Sequence, residues 1–299
     1  TYISLTQIDT EVADFQTDAF DETATGTVTV QDKAVVEFAA DGTILQLWNF
    51  VDILKTGRIS YSSTTGLPGG AANWVHSNAV YHDTTDNTIV VSLRNQDAVV
   101  KFSRTTSELI WILGTDANWQ GFEDYLLFPQ NFNDWHYTQH APELTPEGTI
   151  LLFDNGANFR ASPFTGEPLT AAADNYSRAV EYAIDEQAMT VSRVWEYGLP
   201  QSGEQLMAPI VGDADRLPAT GNILITYGSV CIKDNLPHDN FGECRTHARV
   251  IEVVHDDDAD EVFDLLIDDA DPASKGLIVY RSERLESLYG DTGVVVEEF

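Results

Sequence analysis

The sequence predicts an all-β fold, a β-propeller whose four-stranded antiparallel blades surround a central channel, with residues 1–299 forming one domain. Three observations lead to this prediction. A strand, a polar turn and a second strand recur along the chain, further strands precede each recurrence, and no long stretch has apolar residues at helical spacing. The apolar content of 43 % is sufficient for a core in a domain of this size.

The recurring strand–turn–strand segments occupy residues 34–48, 98–114, 178–198 and 249–267. A strand precedes each of them, at residues 26–31, 87–95, 148–156 and 221–229. The last three units have one more strand upstream, in the stretches "HSNAVYH", "QHAPEL" and "APIVGDADRL". Period-2 alternation, β-branched and aromatic residues, and Gly or Asp-Gly turns all favour strands here. The repeat length of roughly 60 to 80 residues is typical of propeller blades with insertions.

The chain is strongly acidic, with 16 Lys and Arg against 48 Asp and Glu and a formal net charge of −32. This charge repels nucleic acid and anionic lipid, so we expect neither as a partner. No run of 18 apolar residues occurs, which argues against membrane insertion. The first residues do not form a signal peptide, so we expect a chain that begins after processing or is a fragment.

The two cysteines, Cys231 and Cys244, flank the loop-like segment "IKDNLPHDNFGE". This arrangement favours a disulfide that closes one loop over a metal site, since no second pair of Cys or His stands at ligand spacing. A disulfide in turn indicates an oxidising compartment.

His76 and His140 stand at the same repeat position, because each opens the first strand of its unit. Equivalent positions of successive blades face the same channel, so we expect the two histidines to face it together. Arg94 and Arg160 follow the second strands of these two units, and the combination suits an anionic group such as sulfate, phosphate or carboxylate. The alternative is that the histidines are packing residues and that Arg94 pairs with one of the many acidic side chains.

Seven motifs follow one another between about residues 34 and 290: "WVHSNAVYHD", "SLRNQDAVVKFSR", "WILG", "DWHYTQHAPEL", "ILLFDNG", "YSRAVEYAIDEQAMTVSRVWEYG" and "YRSERLESLYG". Together they resemble the bacterial arylsulfate sulfotransferase family. The resemblance implies a six-bladed propeller, usually periplasmic, that moves a sulfuryl group from a phenolic sulfate ester to another phenol without a nucleotide sulfate donor. It also implies a histidine nucleophile that holds the sulfuryl group as a sulfohistidine.

By its position in these motifs, His140 matches the family's nucleophile, while His76, Asn78 and Arg94 match the group that holds the sulfuryl oxygens. The chemistry agrees, since a neutral imidazole is a competent nucleophile near pH 7 and a covalent intermediate divides one difficult displacement into two. Arg94 offers a fork of donors, Asn78 a neutral donor and His76 a proton for the bridging oxygen. No metal or other cofactor is expected.

Substrate binding is predicted at three further residues. Arg160 would add positive charge near the anion, and Trp135 and Tyr137, beside the second histidine motif, could stack on a phenol. The expected partners are therefore an aryl sulfate donor and a phenolic acceptor in the periplasm or outside the cell, with homo-oligomerisation left open.

Two other functions remain open at this point. A non-catalytic propeller that binds or assembles at a surface is favoured by the absence of His from residues 1–75 and by Val211 where the family has a threonine. A metal-dependent hydrolase would use Asp154 and Asn155 of "FDNG", although the adjacent Gly156 favours a turn there. His247 is the reserve candidate for a nucleophile.

Overall fold

Antiparallel strands dominate the computed structural model, which describes residues 1–161, 170–171, 174–234, 236–238 and 240–285. The prediction of an all-β chain is confirmed. The helical segments within these residues are short: α1 (Phe50–Leu54), α2 (Leu199–Ser202) and 3₁₀ turns at Arg94–Gln96, Glu123–Tyr125 and Asn158–Arg160.

The N-terminal region contains five strands: β1 (Tyr2–Leu5), β2 (Ile8–Gln16), β3 (Thr25–Asp32), β4 (Val35–Phe38) and β5 (Ile44–Trp48). The first sheet has the order β1-β4-β5, and β2 pairs with β3 in a separate hairpin. The expected unit that joins the strand at residues 26–31 to the segment at residues 34–48 is therefore wrong. β2 pairs along one edge of β3, and on the other edge Ala72 bonds to the Gln31 N–H and the Thr29 carbonyl, each at 2.8 Å, so neither edge of β3 is left for β4.

The second and third sheets follow the predicted units. The second sheet consists, in spatial order, of β6 (Ser77–Asp83), β7 (Thr88–Leu93), β8 (Ala98–Ser103) and β9 (Leu109–Gly114). The third contains β10 (Phe128–Pro129), β11 (His140–Leu144), β12 (Ile150–Asp154), β13 (Arg178–Asp185) and β14 (Thr190–Tyr197). Its order is β10-β14-β13-β12-β11, with the short β10 parallel to β14.

The fourth sheet has the order β15-β16-β18-β19, and the two-residue strand β17 pairs with the end of β16. Its strands are β15 (Asp213–Arg216), β16 (Ile223–Lys233), β17 (Leu236–Pro237), β18 (Arg245–Val253) and β19 (Glu261–Ile267). The predicted disulfide is present: Cys231 in β16 is bonded to Cys244, directly before β18, with the Cα atoms 5.5 Å apart.

Apolar cores lie between consecutive sheets, because successive residues of a strand point to opposite faces. On β7, for example, Val91 joins the core toward the first sheet and Val90 the core toward the third. The core between the first and second sheets includes Val35, Trp48, Val91, Val100 and Phe102. The core between the second and third includes Val90, Val99, Trp111, Leu152 and Val180. The core between the third and fourth includes Leu151, Phe153, Trp195, Ile225 and Ile251.

The first strands of the four sheets, β1, β6, β11 and β15, are neighbours in space. They border a cavity of about 500 Å³ that is also lined by Arg281 and Glu283 from the segment after β19. This arrangement brings residues from four distant parts of the sequence to one place. Within the described residues, none of the helices has the length and apolar character needed to cross a membrane.

Candidate active site

His140 opens β11, as predicted, and its ring is held by Asn155, which directly follows β12. The Asn155 Nδ2 donates to the carbonyl oxygens of Ala208 and Val211, each at 2.7 Å. Since carbonyl oxygens only accept, these two bonds fix the amide orientation and direct Asn155 Oδ1 toward His140 Nδ1, 2.7 Å away. The Nδ1 atom therefore holds the proton of the neutral ring, and the lone pair lies on Nε2.

The His140 imidazole stays uncharged at neutral pH. Burial lowers its pKa to about 3, the charge of Arg94 contributes in the same direction, and the hydrogen bond to Asn155 opposes both. His76 adds a smaller lowering influence, which shows that the three side chains lie within electrostatic reach of one another. A buried, neutral imidazole with a defined lone pair is suited to nucleophilic attack.

His76 directly precedes β6, and its ring is half-buried. The Asn73 side-chain amide lies 2.6 Å from His76 Nδ1, and with Nδ2 as the donor the proton of the neutral ring is on Nε2. Burial lowers the pKa of His76 to about 4, with further lowering from Arg94 and Lys33. In that orientation of the amide, His76 donates through Nε2, in contrast to His140.

Arg94 lies beside His76 because β6 and β7 are antiparallel and Ser77 is paired with Leu93. The Arg94 backbone N–H donates to the His76 carbonyl at 3.2 Å. Its guanidinium donates to Asn95 Oδ1 at 2.9 Å and to the Pro209 carbonyl at 3.5 Å, so it reaches the segment before β15. The structure brings Arg94, His76 and His140 together.

Asn78, on β6, links that strand to the start of β11. Its side chain is buried, and Nδ2 donates to the Gln139 carbonyl at 2.8 Å. The amide has a second hydrogen on Nδ2, and among the described residues its Oδ1 has no hydrogen-bond partner. Asn78 is therefore next to His140 in space with part of its hydrogen-bonding capacity unused.

Left-handed backbone conformations cluster around these side chains. His76, Thr138, Ala141 and Val211 have φ values of 47°, 53°, 50° and 53°. Such values are unfavourable for residues other than Gly, above all for the β-branched Val211, and they concentrate at functional sites.

Arg160, predicted to add positive charge near the anion, pairs with the fully buried Asp154 at 2.7 Å and donates to the Tyr176 carbonyl. Arg178 contacts the same Asp154 oxygen at 2.9 Å, and the other oxygen accepts from the backbone N–H groups of Tyr137 and Gly156. All four acceptor positions of this carboxylate are thus used, which contradicts a metal-ligand role for Asp154.

Of the two predicted aromatic residues, Trp135 is partly buried and Tyr137 is buried. Trp135 packs against Phe132 and Tyr182, with ring centroids 4.8 and 6.5 Å away, and Tyr137 is 9 % exposed. The ring that contacts His140 is Tyr280, half-exposed, at a centroid distance of 6.4 Å and near a right angle. Tyr280 is fixed by its carbonyl, which accepts from the Gly212 N–H at 3.1 Å.

Asn73 and Tyr280 were not predicted as site residues, and Asn155 was predicted only as a candidate metal ligand. The sequence carries a signal for Asn155, since it follows the second strand of its unit at the position where Arg94 follows β7. No sequence pattern singles out Tyr280, which lies in the last of the seven motifs; residues 286–290 of that motif lie outside the described residues. The reserve candidate His247 lies on β18, opposite Val230, where burial lowers its pKa.

The profile of the Arylsulfotransferase (ASST) family matches residues 12–281, a range that contains all of the residues above. The chain belongs to the arylsulfotransferase family. The resemblance inferred from the seven motifs is thereby confirmed.

Two curated members of the arylsulfotransferase family show how far the similarity extends. The arylsulfate sulfotransferase AssT of Escherichia coli is 34 % identical over 160 residues, and that of Lelliottia amnigena is 32 % identical over 160 residues. Each alignment covers 48 % of this chain and 25 % of the relative, so the match spans a quarter of the relatives' length. Among solved structures, a periplasmic gluconolactonase of Pseudomonas aeruginosa aligns over 87 % of this chain and 67 % of its own, at 10 % identity and a TM-score of 0.30. That score is too low to argue for a common fold.

Proposed function

We propose that this chain transfers a sulfuryl group from a phenolic sulfate ester to a phenol, with His140 Nε2 as the nucleophile and a sulfohistidine as the intermediate. The observation that supports this most directly is the orientation of Asn155. It holds the proton of His140 on Nδ1 and so leaves the Nε2 lone pair for attack. Membership of the arylsulfotransferase family supports the same substrate class.

In the first half-reaction, His140 Nε2 forms a bond to sulfur while the bond between sulfur and the aryl oxygen breaks. The His76 Nε2–H donates a hydrogen bond to that oxygen and stabilises its developing charge, so the group leaves as phenolate and then takes its proton from solvent. Arg94 and the second Nδ2 hydrogen of Asn78 hold the other sulfuryl oxygens.

In the second half-reaction, the acceptor phenol loses its proton to solvent, and its oxygen, which accepts a hydrogen bond from the His76 Nε2–H, attacks sulfur. The N–S bond then breaks and returns the electron pair to His140 Nε2. Because the Nδ1–H stays bonded to Asn155 throughout, the ring is ready for the next donor. The reaction needs no cofactor, since donor and acceptor supply all the groups exchanged.

We also propose that the sheets are blades of a β-propeller. Four sheets place their first strands around one cavity, and cores lie between consecutive sheets, as radial packing requires. The described residues supply these four sheets and one hairpin, and the six-bladed count follows from the family resemblance. The Cys231–Cys244 disulfide supports a periplasmic or extracellular location.

The deciding experiment is intact-protein mass spectrometry after brief incubation with an aryl sulfate and no acceptor, at neutral to mildly basic pH. We expect the mass of one added sulfuryl group on His140, and its loss when a phenol is supplied. His140→Gln should show no adduct, whereas His247→Gln, the matched control, should retain it. An adduct that persists in His140→Gln would contradict the proposed nucleophile.

One observation favours a non-catalytic binding function. The residue at 211 is Val, so a side-chain hydroxyl is missing where the family has threonine, and its carbonyl serves only to hold Asn155. Saturable binding of an aryl sulfate with neither adduct nor released phenol would select this alternative.

A further inference from the structure

The cavity between the inner strands contains a concentration of acidic side chains. Glu143, Asp213, Asp215 and Glu283 line it, and the cationic residue in its lining is Arg281. Like charges gathered in a partly enclosed space repel one another, so something must offset them.

Three of these carboxylates form a compact group. Oxygen atoms of Asp213, Asp215 and Glu283 all lie within 4.8 Å of one another. The sequence explains the first two, since alternate residues of β15 share a face: Asp213 and Asp215 face the cavity, while Ala214 between them joins the core. Glu283 comes from the segment after β19.

A second observation concerns hydrogen bonding rather than charge. Asp213 is only 2 % exposed, yet its Oδ2 has no hydrogen-bond partner among the described residues, and the same holds for the buried Oδ2 of Asp215. The Arg281 Nε is 4.0 Å from Asp213 Oδ2, which is beyond hydrogen-bond distance. Buried carboxylate oxygens normally have partners, so these point to a missing one.

A neutral oxygen ligand lies at the same cavity. Asn78 is 7 % exposed, lines the cavity, and has a buried Oδ1 that lacks a hydrogen-bond partner among the described residues. Carboxylate and amide oxygens in an irregular arrangement, with room for water, are the ligands that Ca²⁺ accepts, whereas Mg²⁺ requires near-ideal octahedral geometry.

We propose that Asp213, Asp215 and Glu283 bind a divalent hard cation, Ca²⁺, in this cavity, with Asn78 Oδ1 and water available as neutral ligands. The cation joins the segment that contains Tyr280 and Glu283 to β15, and it offsets the negative charge of the cavity. It lies outside the reaction, and its binding does not depend on the proposed transfer activity.

The test is calcium binding by the full chain after chelation and dialysis, measured by calorimetry and thermal unfolding. Work at about 1 M NaCl, where the Debye length is about 3 Å, suppresses diffuse binding to a protein of this charge. We expect one saturable site, a rise in melting temperature with Ca²⁺, and weaker binding of Mg²⁺. Asp215→Asn and Glu283→Gln should weaken Ca²⁺ binding on the order of tenfold or more.

The matched control is Asp257→Asn, an exposed residue on the loop before β19, which changes the net charge by the same amount. It should bind Ca²⁺ as the wild type does. With chelator present, Asp215→Asn should melt at or above the wild-type temperature, because it removes one of three crowded charges, so loss of binding cannot be attributed to misfolding.

Three results would overturn the proposal. One is an equal response to Ca²⁺ in the wild type and both cluster variants, which would mean diffuse counterion binding. Another is Mg²⁺ binding as tight as that of Ca²⁺. The third is a melting temperature that rises on acidification in the presence of chelator, together with no effect of Ca²⁺ on the melting temperature at pH 8. This result would mean that protons, and not a cation, offset the charges of the carboxylates.

Discussion

At the scale of single residues, Asn155 determines which nitrogen of His140 carries the proton of the neutral ring. Its two donated hydrogen bonds, to Ala208 and Val211, leave only the oxygen for His140. In the proposed reaction Asn155 is a positioning residue, since it acts through the imidazole.

We expect Asn155→Ala to release the His140 tautomer and to slow sulfuryl uptake about 10- to 100-fold. The tautomer is read from ¹H–¹⁵N correlation spectra of the ring, which should show Nδ1–H in the wild type and a mixture in the variant. Asn131→Ala, which removes an exposed amide bonded to the Arg193 backbone, is the control and should change neither quantity. An unchanged ring spectrum in Asn155→Ala would refute the assigned role.

His136 is a second residue whose state follows from burial. It is fully buried beside Tyr182, both of its ring nitrogens lack hydrogen-bond partners among the described residues, and burial lowers its pKa to about 4. The unfolded chain, with an ordinary pKa near 6.5, binds more protons between these values. His136 therefore contributes stability above about pH 6.5 that is lost as the pH falls toward 4.

His136→Phe should raise the free energy of unfolding, because it removes two unpaired polar atoms from an aromatic environment. Its advantage over the wild type should grow on the order of 2 kcal/mol between pH 7 and pH 5. Denaturant unfolding of both proteins at the two values measures this. The informative quantity is the difference in the free energy of unfolding between the variant and the wild type at each pH. Burial raises the pKa of Asp32 and Asp97 to about 6, so these carboxyls change the stability of both proteins with pH in the opposite direction to His136.

At the scale of elements, the site depends on where strands begin. β11 starts at His140 and β6 one residue after His76, and the Asn78 side chain on β6 donates to the Gln139 carbonyl, so these two neighbouring strands begin close together. The sequence repeat predicted this much. The repeat could not predict that β3 pairs with β2 and not with β4 of the first sheet, because β-strand patterning identifies a strand but not its partner.

The disulfide is an element with a predictable energetic effect. It closes a short loop between Cys231 and Cys244, 13 residues apart, at the end of the fourth sheet. The double variant Cys231→Ser/Cys244→Ser should lower the free energy of unfolding by about 3 kcal/mol, by chain-entropy reasoning, while His140 retains its reactivity. Denaturation with and without reductant measures the effect. The double variant serves as its own control, since a reductant that still destabilises it would act elsewhere.

At the scale of the whole molecule, Lys and Arg side chains are few, and some of them form ion pairs with several carboxylates from separate elements. Lys101 on β8 contacts Asp86 and Glu186 at 2.6 and 2.7 Å, and so links the second and third sheets. Arg178 contacts Asp154, Asp134 and Glu196 within the third sheet. With a formal net charge of −32, most acidic groups have no such cation and depend on solvent ions or, in the inner cavity, on the proposed Ca²⁺.

The sequence by itself determined the strands of the second, third and fourth sheets, the disulfide and the family. The strands follow from local alternation and the disulfide from loop spacing, while His76 and His140 share a repeat position and the family and Asn78 follow from the motif resemblance. Only the tertiary structure decided that Asn155 fixes the His140 tautomer, that Arg160 pairs with Asp154, and that Tyr280 reaches the site. The reason is physical: a side chain's direction is local, but its partner is set by how distant strands close around the cavity.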